Sequence, residues 1–276
     1  MVFSSMTFLW IFLPIVLLLN YCFSFIKNSK VKYLCKNINL LIASLIFYAG
    51  GGIWYLFVML ASILGNYLFA LWINYEDTKN LKIKKLALVL AIVFNLGLLF
   101  YFKYTNFFVS IIENIANMNF GLKEVILPIG ISFFTFQAMS YVIDVYLKKV
   151  ECQKNLMLLA LYVSLFPQLI AGPIVKYSDI EDQLKNRVET TEKFVQGIKR
   201  FLYGLAKKVI VSNVVGEVAE TIFNTNIWEM GTLSAWLGII CYSIQIYYDF
   251  SGYSDMAIGL GKMFGFEFTE NFNYPY

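Results

Sequence analysis

The sequence contains no histidine. That absence removes the commonest general base, the commonest metal ligand and every Ser-His or Cys-His dyad at once. Charge is scarce as well: Asp, Glu, Lys and Arg make up 14% of the 276 residues, against about 25% in an ordinary soluble domain. The hydrophobic share is 59%, more than a compact water-facing fold of this length could hide, so a soluble globular enzyme is excluded. The four cysteines, Cys22, Cys35, Cys152 and Cys241, form no CxxC pair. Neither a zinc knuckle nor a disulfide framework is indicated, and they read as small apolar core residues. Lys and Arg exceed Asp and Glu by 22 to 18, too small a margin to argue for nucleic acid, and no aromatic-interleaved basic patch accompanies it. What remains is a chain whose solvent is the lipid bilayer.

Phe8 to Ile26 is long enough to span a hydrocarbon core of about 30 Å. No Lys or Arg precedes it and no small-residue cleavage site follows, so a retained transmembrane helix is expected rather than a signal peptide. Lys27, Lys30, Lys32 and Lys36 come next, and short basic loops stay on the cytoplasmic side, which puts the N-terminus outside. Val31 to Ile73, divided by Gly50-Gly51-Gly52, reads as a helical hairpin with Lys32 and Lys36 snorkelling. It returns to a second basic loop holding Lys79, Lys82, Lys84 and Lys85. Leu86 to Phe102 crosses outward, and the charge-balanced stretch after it carries a short surface helix at Phe107 to Met118. Ile126 to Leu147 returns to Lys148, Lys149 and Lys154. Leu156 to Ala171, interrupted by Pro167 and Gln168, predicts a re-entrant or broken segment buried in protein. Lys176 to Lys208 is a cytoplasmic loop ending in an amphipathic interfacial helix over Phe194 to Lys208. Val209 to Phe223 crosses or dips into the membrane, Asn224 to Thr232 turns, and Leu233 to Phe250 spans again. The fold class is an all-α polytopic membrane protein, a single membrane-embedded domain over 1–276 with about seven or eight embedded helices.

Three places break the apolar pattern. In the segment 127–137, Pro128 and Gly130 loosen a helix start while Ser132, Thr135 and Gln137 put polar groups into the helix; ordinary helix packing explains such residues equally well. Asp144, near Lys148, reads as an interfacial ion pair. In the segment 166–174, Pro167, Gln168, Gly172 and Pro173 interrupt a hydrophobic run, pointing to an element that lines a cavity, or else to a plain loop. In the segment 247–256, Asp249, Ser251, Gly252, Tyr253 and Asp255 end an apolar span. Membrane acids tend to face a watery cavity or a partner, but the alternative is a polar turn broken at Gly252. Two carboxylates at this spacing match no metal signature.

The segments LPIGISFFTFQAMSYVIDVY, LFPQLIAGPIVKY and YYDFSGYSDMAIGLGKMFGFEFTENFNYPY resemble the bacterial branch of the membrane-bound O-acyltransferases, closest to the alginate O-acetylating type. The resemblance implies an acyl group passed from a cytoplasmic or membrane-facing donor through a tunnel to a hydroxyl on an extracellular glycan. It makes the three motifs tunnel walls and adds Asn271 and Asn273 of the last segment. It also implies an acetyl-CoA or other acyl-thioester donor, no covalently bound cofactor, an acyl donor or carrier on the cytoplasmic side and an extracytoplasmic acetylation partner. The location implied is the bacterial inner membrane. Family members carry a catalytic histidine in a WHxSL-type motif soon after the counterpart of Asn271 to Tyr276. The expectation is therefore a chain truncated before its general base, with no catalytic residue of its own and inactive alone. A transporter or polysaccharide flippase is the competing reading, but it wants two related halves with paired broken helices, and no such symmetry is visible. A non-catalytic membrane scaffold is the third.

Overall fold

The structure, a computed structural model, describes residues 2–77, 79–116, 118, 120–169, 172, 175–226 and 230–272. Among these, every regular element is helical. Four helices are long and apolar enough to cross a bilayer: Phe8–Phe25, Ser29–Ala49, Ile53–Glu76 and Leu81–Ala116. The first opens with a π turn, Phe8–Phe12, before α1 (Leu13–Cys22). Pro14 brings no N–H to bond the turn ahead of it, which suits that wider winding.

The segment expected to form a hairpin holds two helices, α2 (Ser29–Ala49) and α3 (Ile53–Glu76), divided at the glycines as expected. Its hinge demands glycine: Gly52 has φ 134°, and a Cβ there would lie 2.7 Å from the Tyr55 ring. Next, α4 (Leu81–Ala116) runs 36 residues without interruption, about 54 Å at 1.5 Å per residue. The separate surface helix expected at Phe107 to Met118 is therefore corrected; Lys103 changes the polarity of the sequence, but no Pro or Gly between 98 and 116 stops the winding. The next helix, α5 (Ile131–Tyr146), starts later than the Ile126 expected, because Pro128 and the left-handed Gly130 (φ 74°) precede its first turn. It ends in a Schellman-type turn, in which Lys149 N–H reaches the Asp144 carbonyl at 2.9 Å and Lys148 takes the left-handed position with φ 58°.

The expected break in the 156–171 segment is present: α6 (Leu156–Ser164) stops at Leu165, and a single turn, α7 (Phe166–Leu169), follows with every residue buried. After α8 (Tyr177–Asn186), α9 (Thr191–Ala206) begins under a Thr190 cap that accepts from Lys193 N–H at 3.1 Å. It continues through a π turn, Lys207–Ser212, into α10 (Asn213–Phe223). Finally, α11 runs unbroken over Thr232–Met263. The span expected to end at Phe250, with a turn at Gly252, is corrected: Gly252 is a helix-packing residue, not a break.

Two compact units result, one of Met1–Lys36, Ala171–Val175 and Asp179–Tyr276, the other of Asn37–Ile170 and Lys176–Ser178. In the first, Lys36 does not snorkel. Its ammonium is buried, 2.6 Å from the Glu189 carboxylate and 2.8 Å from Ser24 Oγ. Beside it the Arg187 guanidinium lies over the Phe266 ring at 4.7 Å, and burial pulls its pKa down to about 10.

In the second unit α3 packs on α4 and α5. Between α3 and α4, the side-chain amides of Asn66 and Asn95 pair reciprocally at 3.0 and 2.7 Å, both fully buried. Each amide also reaches a carbonyl of its own helix, Ser62 and Ala91, at 2.8 Å. Where hydrocarbon offers no hydrogen-bonding alternative, such pairs hold helices together. Asn66→Leu should lower stability by about 1–2 kcal/mol, and Asn66→Leu with Asn95→Leu by less than the two single changes added. A double-mutant cycle of unfolding in detergent reads both.

At the end of α3, Asp77 accepts from the Lys148 and Lys84 ammonium groups, each at 2.6 Å, and those hydrogen bonds, Lys148's first, hold its carboxyl below the usual range. A depressed folded pKa stabilises above the unfolded value of about 3.9, and the stabilisation is lost as pH falls through the lower folded value. Between pH 5 and 3 the thermal midpoint of the wild type should therefore drop more steeply than that of Asp77→Asn.

Candidate functional site

In the first unit, α9 and α11 lie antiparallel at unusually short range. Glycines seven residues apart on each helix face one another. A Cβ on Gly197 would sit 2.6 Å from the Gly259 carbonyl, and one on Gly204 would sit 2.5 Å from the Gly252 carbonyl. Small residues at this repeat let two backbones approach in a membrane protein. Between the two glycine contacts lies Asp255, 4% exposed. Arg200 donates to its Oδ1 from Nε and Nη2, both at 2.7 Å, and Lys207 donates to Oδ2 at 2.6 Å. Lys207 also donates to Ser251 Oγ at 3.0 Å, and Arg200 extends the network to Glu270 at 2.6 Å. Two residues before Ser251, Asp249 pairs with Lys208.

Both oxygens of Asp255 are engaged by cations, so neither can take a proton from a substrate hydroxyl without first breaking an ion pair. The arrangement orients Arg200 and Lys207, which are about one-third exposed, rather than offering a base. Ser254 Oγ, on the same turn, is buried without a hydrogen-bond partner among the described residues. Tyr253 turns to another face and packs on the Phe3 ring at 5.4 Å. Of the remaining candidates in this unit, Gly172 is buried and Asn271 half-buried. Pro173 and Asn273 lie outside the described residues.

The other candidates belong to the second unit. The break at Leu165 frees the Tyr162 carbonyl and the Phe166 N–H. The carbonyl accepts from Gln137 Nε2 at 3.1 Å and from Gln168 Nε2 at 2.5 Å, while Phe166 N–H donates to Ser44 Oγ at 3.0 Å. Side chains thus replace the missing helix bonds, and Pro167, with no N–H, sits inside the new turn where none is needed. Gln168 Oε1 and Thr135 Oγ1 are buried there without a partner among the described residues. Pro128 is buried ahead of α5, and Ser132 is half-buried in its first turn. Among the described residues no group of three His, Cys, Asp or Glu could hold a metal ion.

Arg200, Lys207, Lys208 and Ser44 were not singled out from the sequence. The one available signal was the matched seven-residue glycine spacing, 197 with 204 and 252 with 259.

Long apolar helices with their polar side chains gathered at helix contacts define a helical membrane protein. The chain belongs to the membrane-bound O-acyltransferase family, whose model matches residues 42–275. It is 42% identical over 280 residues to the probable alginate O-acetylase AlgI of Pseudomonas aeruginosa, covering 100% of this chain and 52% of that protein. It is 35% identical over 304 residues to the peptidoglycan O-acetyltransferase of Helicobacter pylori, again covering the whole chain and 56% of the relative. A teichoic acid D-alanyltransferase of Bacillus subtilis is 28% identical over 154 residues, 54% of this chain and 38% of its own length. The chain thus spans about half the length of the first of these curated relatives. The family resemblance read from the three motif segments holds.

Gly204→Val would drive a side chain into backbone, since Met256 N lies 2.6 Å from the new Cβ. Overpacking of this kind should cost about 1–3 kcal/mol or more. Gly97→Ala, in α4 with nothing within 4 Å of its Cβ, should be neutral or stabilising. Thermal unfolding of the two variants in detergent makes the comparison.

Proposed function

We propose that these residues form part of a membrane O-acyltransferase that moves an acetyl group from an acyl thioester to a hydroxyl of an extracytoplasmic cell-envelope polysaccharide. One observation carries the reading: the alginate and peptidoglycan O-acetylating relatives align over the whole chain at 42% and 35% identity, whereas two D-alanylating relatives align over 54% and 69% of it at 28% and 26%. Acetyl is therefore favoured over D-alanyl as the group transferred. The donor is acetyl-CoA or a related thioester presented from the cytoplasmic side, with an extracytoplasmic acetylation protein as partner. The full arrangement has about seven or eight embedded helices, a re-entrant segment around α6 and α7, and the N-terminus outside the inner membrane.

In the transfer, the acceptor oxygen bonds to the thioester carbonyl carbon, the carbon–sulfur bond breaks, and the hydroxyl proton needs an acceptor within hydrogen-bond reach. No histidine occurs among the 276 residues, and Asp255 is held by two cations. The role assigned here is therefore the wall of the acyl passage. Ser251, Ser254, Arg200 and Lys207 of the first unit supply its polar groups, and the base comes from outside these residues. Ser254 Oγ, buried without a partner among the described residues, supports that reading, because it needs water or a substrate to satisfy it.

The test is a chimera in which the 276 residues replace the matching stretch of the Pseudomonas aeruginosa relative, with O-acetyl content of secreted alginate as readout. Acetylation should persist in the chimera, fall about tenfold or more with Asp255→Asn, which releases Arg200 and Lys207, and be undetectable for the 276-residue chain alone. Turnover by the chain alone, or a membrane-inserted chimera that acetylates neither alginate nor peptidoglycan, would overturn the reading.

A further inference from the structure

A cavity of about 470 Å³ opens where α3 ends and the loop after α5 folds back, lined among others by Asn74, Asp77, Lys148, Lys149, Glu151 and Lys154. It lies wholly within the second unit and takes no part in the proposed acyl passage. Its charges are not self-cancelling. Asp77 is occupied by Lys84 and Lys148, and Lys84 also donates to the Tyr146 carbonyl at 2.9 Å. That buried lysine and the Schellman-type turn bond carbonyls at the α5 C-terminus, which would otherwise repel an anion. Lys149 and Lys154 have no ion pair among the described residues and face one unpaired carboxylate, Glu151. Lys148 takes the left-handed position of that turn and its ammonium bonds Asp77 at 2.6 Å. The result is a concave surface on which two lysines without ion pairs share one carboxylate, leaving an excess of positive charge. It sits at the end of α3, after which the chain carries Lys79, Lys82 and Lys85.

We propose that this cavity binds a phosphate ester, with Lys149 and Lys154 as its charged contacts and the Asp77–Lys148 pair fixing its wall. Two sources carry that chemistry. One is the headgroup of an anionic phospholipid, which basic pockets between membrane helices attract; the other is the phosphate of a soluble thioester carrier. Lysines act as point charges and suit either, because neither requires a flat two-pronged match.

The test uses the full 276-residue chain purified in neutral detergent, titrated in one arm with short-chain phosphatidylglycerol and in the other with coenzyme A. At least one probe should bind saturably. The double variant Lys149→Gln with Lys154→Gln should weaken it about tenfold or more, and Lys149→Arg with Lys154→Arg should restore it. Lys185→Gln, a surface lysine on α8 paired with Glu181 at 3.1 Å, should change nothing. Binding of the lipid alone or of coenzyme A alone names the source, and binding of both supports a general phosphate site. Absence of saturable binding in both arms, or equal weakening by Lys185→Gln, would overturn the proposal. Neither result depends on acyl transfer, so failure here leaves the acyltransferase reading standing and the reverse also holds.

Discussion

A polar group placed among membrane helices must find its partner within the protein, because hydrocarbon supplies none. That constraint organises each helix contact described above. Asn66 and Asn95 answer one another across α3 and α4. The carbonyl and N–H released at Leu165 are taken up by Gln137, Gln168 and Ser44. Asp255 is neutralised by two cations from one neighbouring helix and its π turn. Apart from Gln168, six residues from the carbonyl it bonds, the polar side chains come from segments distant in sequence, so satisfying them also fixes which helices are neighbours.

Glycine supplies the second half of that logic. The α9 and α11 backbones approach until carbonyls stand where Cβ atoms would be, and this proximity brings the Arg200 and Lys207 side chains onto the Asp255 carboxylate without long reach. A looser contact would leave the carboxylate to water and the cations to rotate. The π turn at Lys207–Ser212 belongs to the same arrangement, since locally wide windings are common where a helix must re-aim its side chains. The polar cluster and the backbone packing are therefore one feature.

Much of this was legible in the residues. The Gly50 to Gly52 hinge could be read because triple glycine between apolar runs has few other uses, and the Pro167 break because proline within an apolar helix has a definite chemical effect. The family could be read from three motif segments. Helix ends were less legible. Lys103 in α4, and Asp249 with Gly252 in α11, look like the edges of spans when their lateral partners are unknown, yet both helices continue through them. The candidate site was half visible. Asp255 and Gly252 stand out on their own, but Arg200 and Lys207 lie 55 and 48 residues away in the chain, and no local pattern announces that they converge. Lys36 shows the same limit in reverse, since a lysine that reads as snorkelling is buried against Glu189.

The unbroken length of α4 carries a mechanical consequence. Lying in a hydrocarbon layer about 30 Å thick, a straight rod of about 54 Å could be accommodated by tilt alone only at an inclination well beyond the roughly 40° that marks the upper end for such helices. Part of it therefore stands clear of the hydrocarbon as a mast. Its last turns carry Thr105, Asn106, Ser110 and Glu113 among apolar rings, and Asn106 ties the mast to the following loop by bonding both the N–H and the carbonyl of Val125 at 2.9 Å. Whatever chemistry the membrane-embedded helices perform, the chain brings with it a rigid spacer that sets how near a bulky molecule on that side can come.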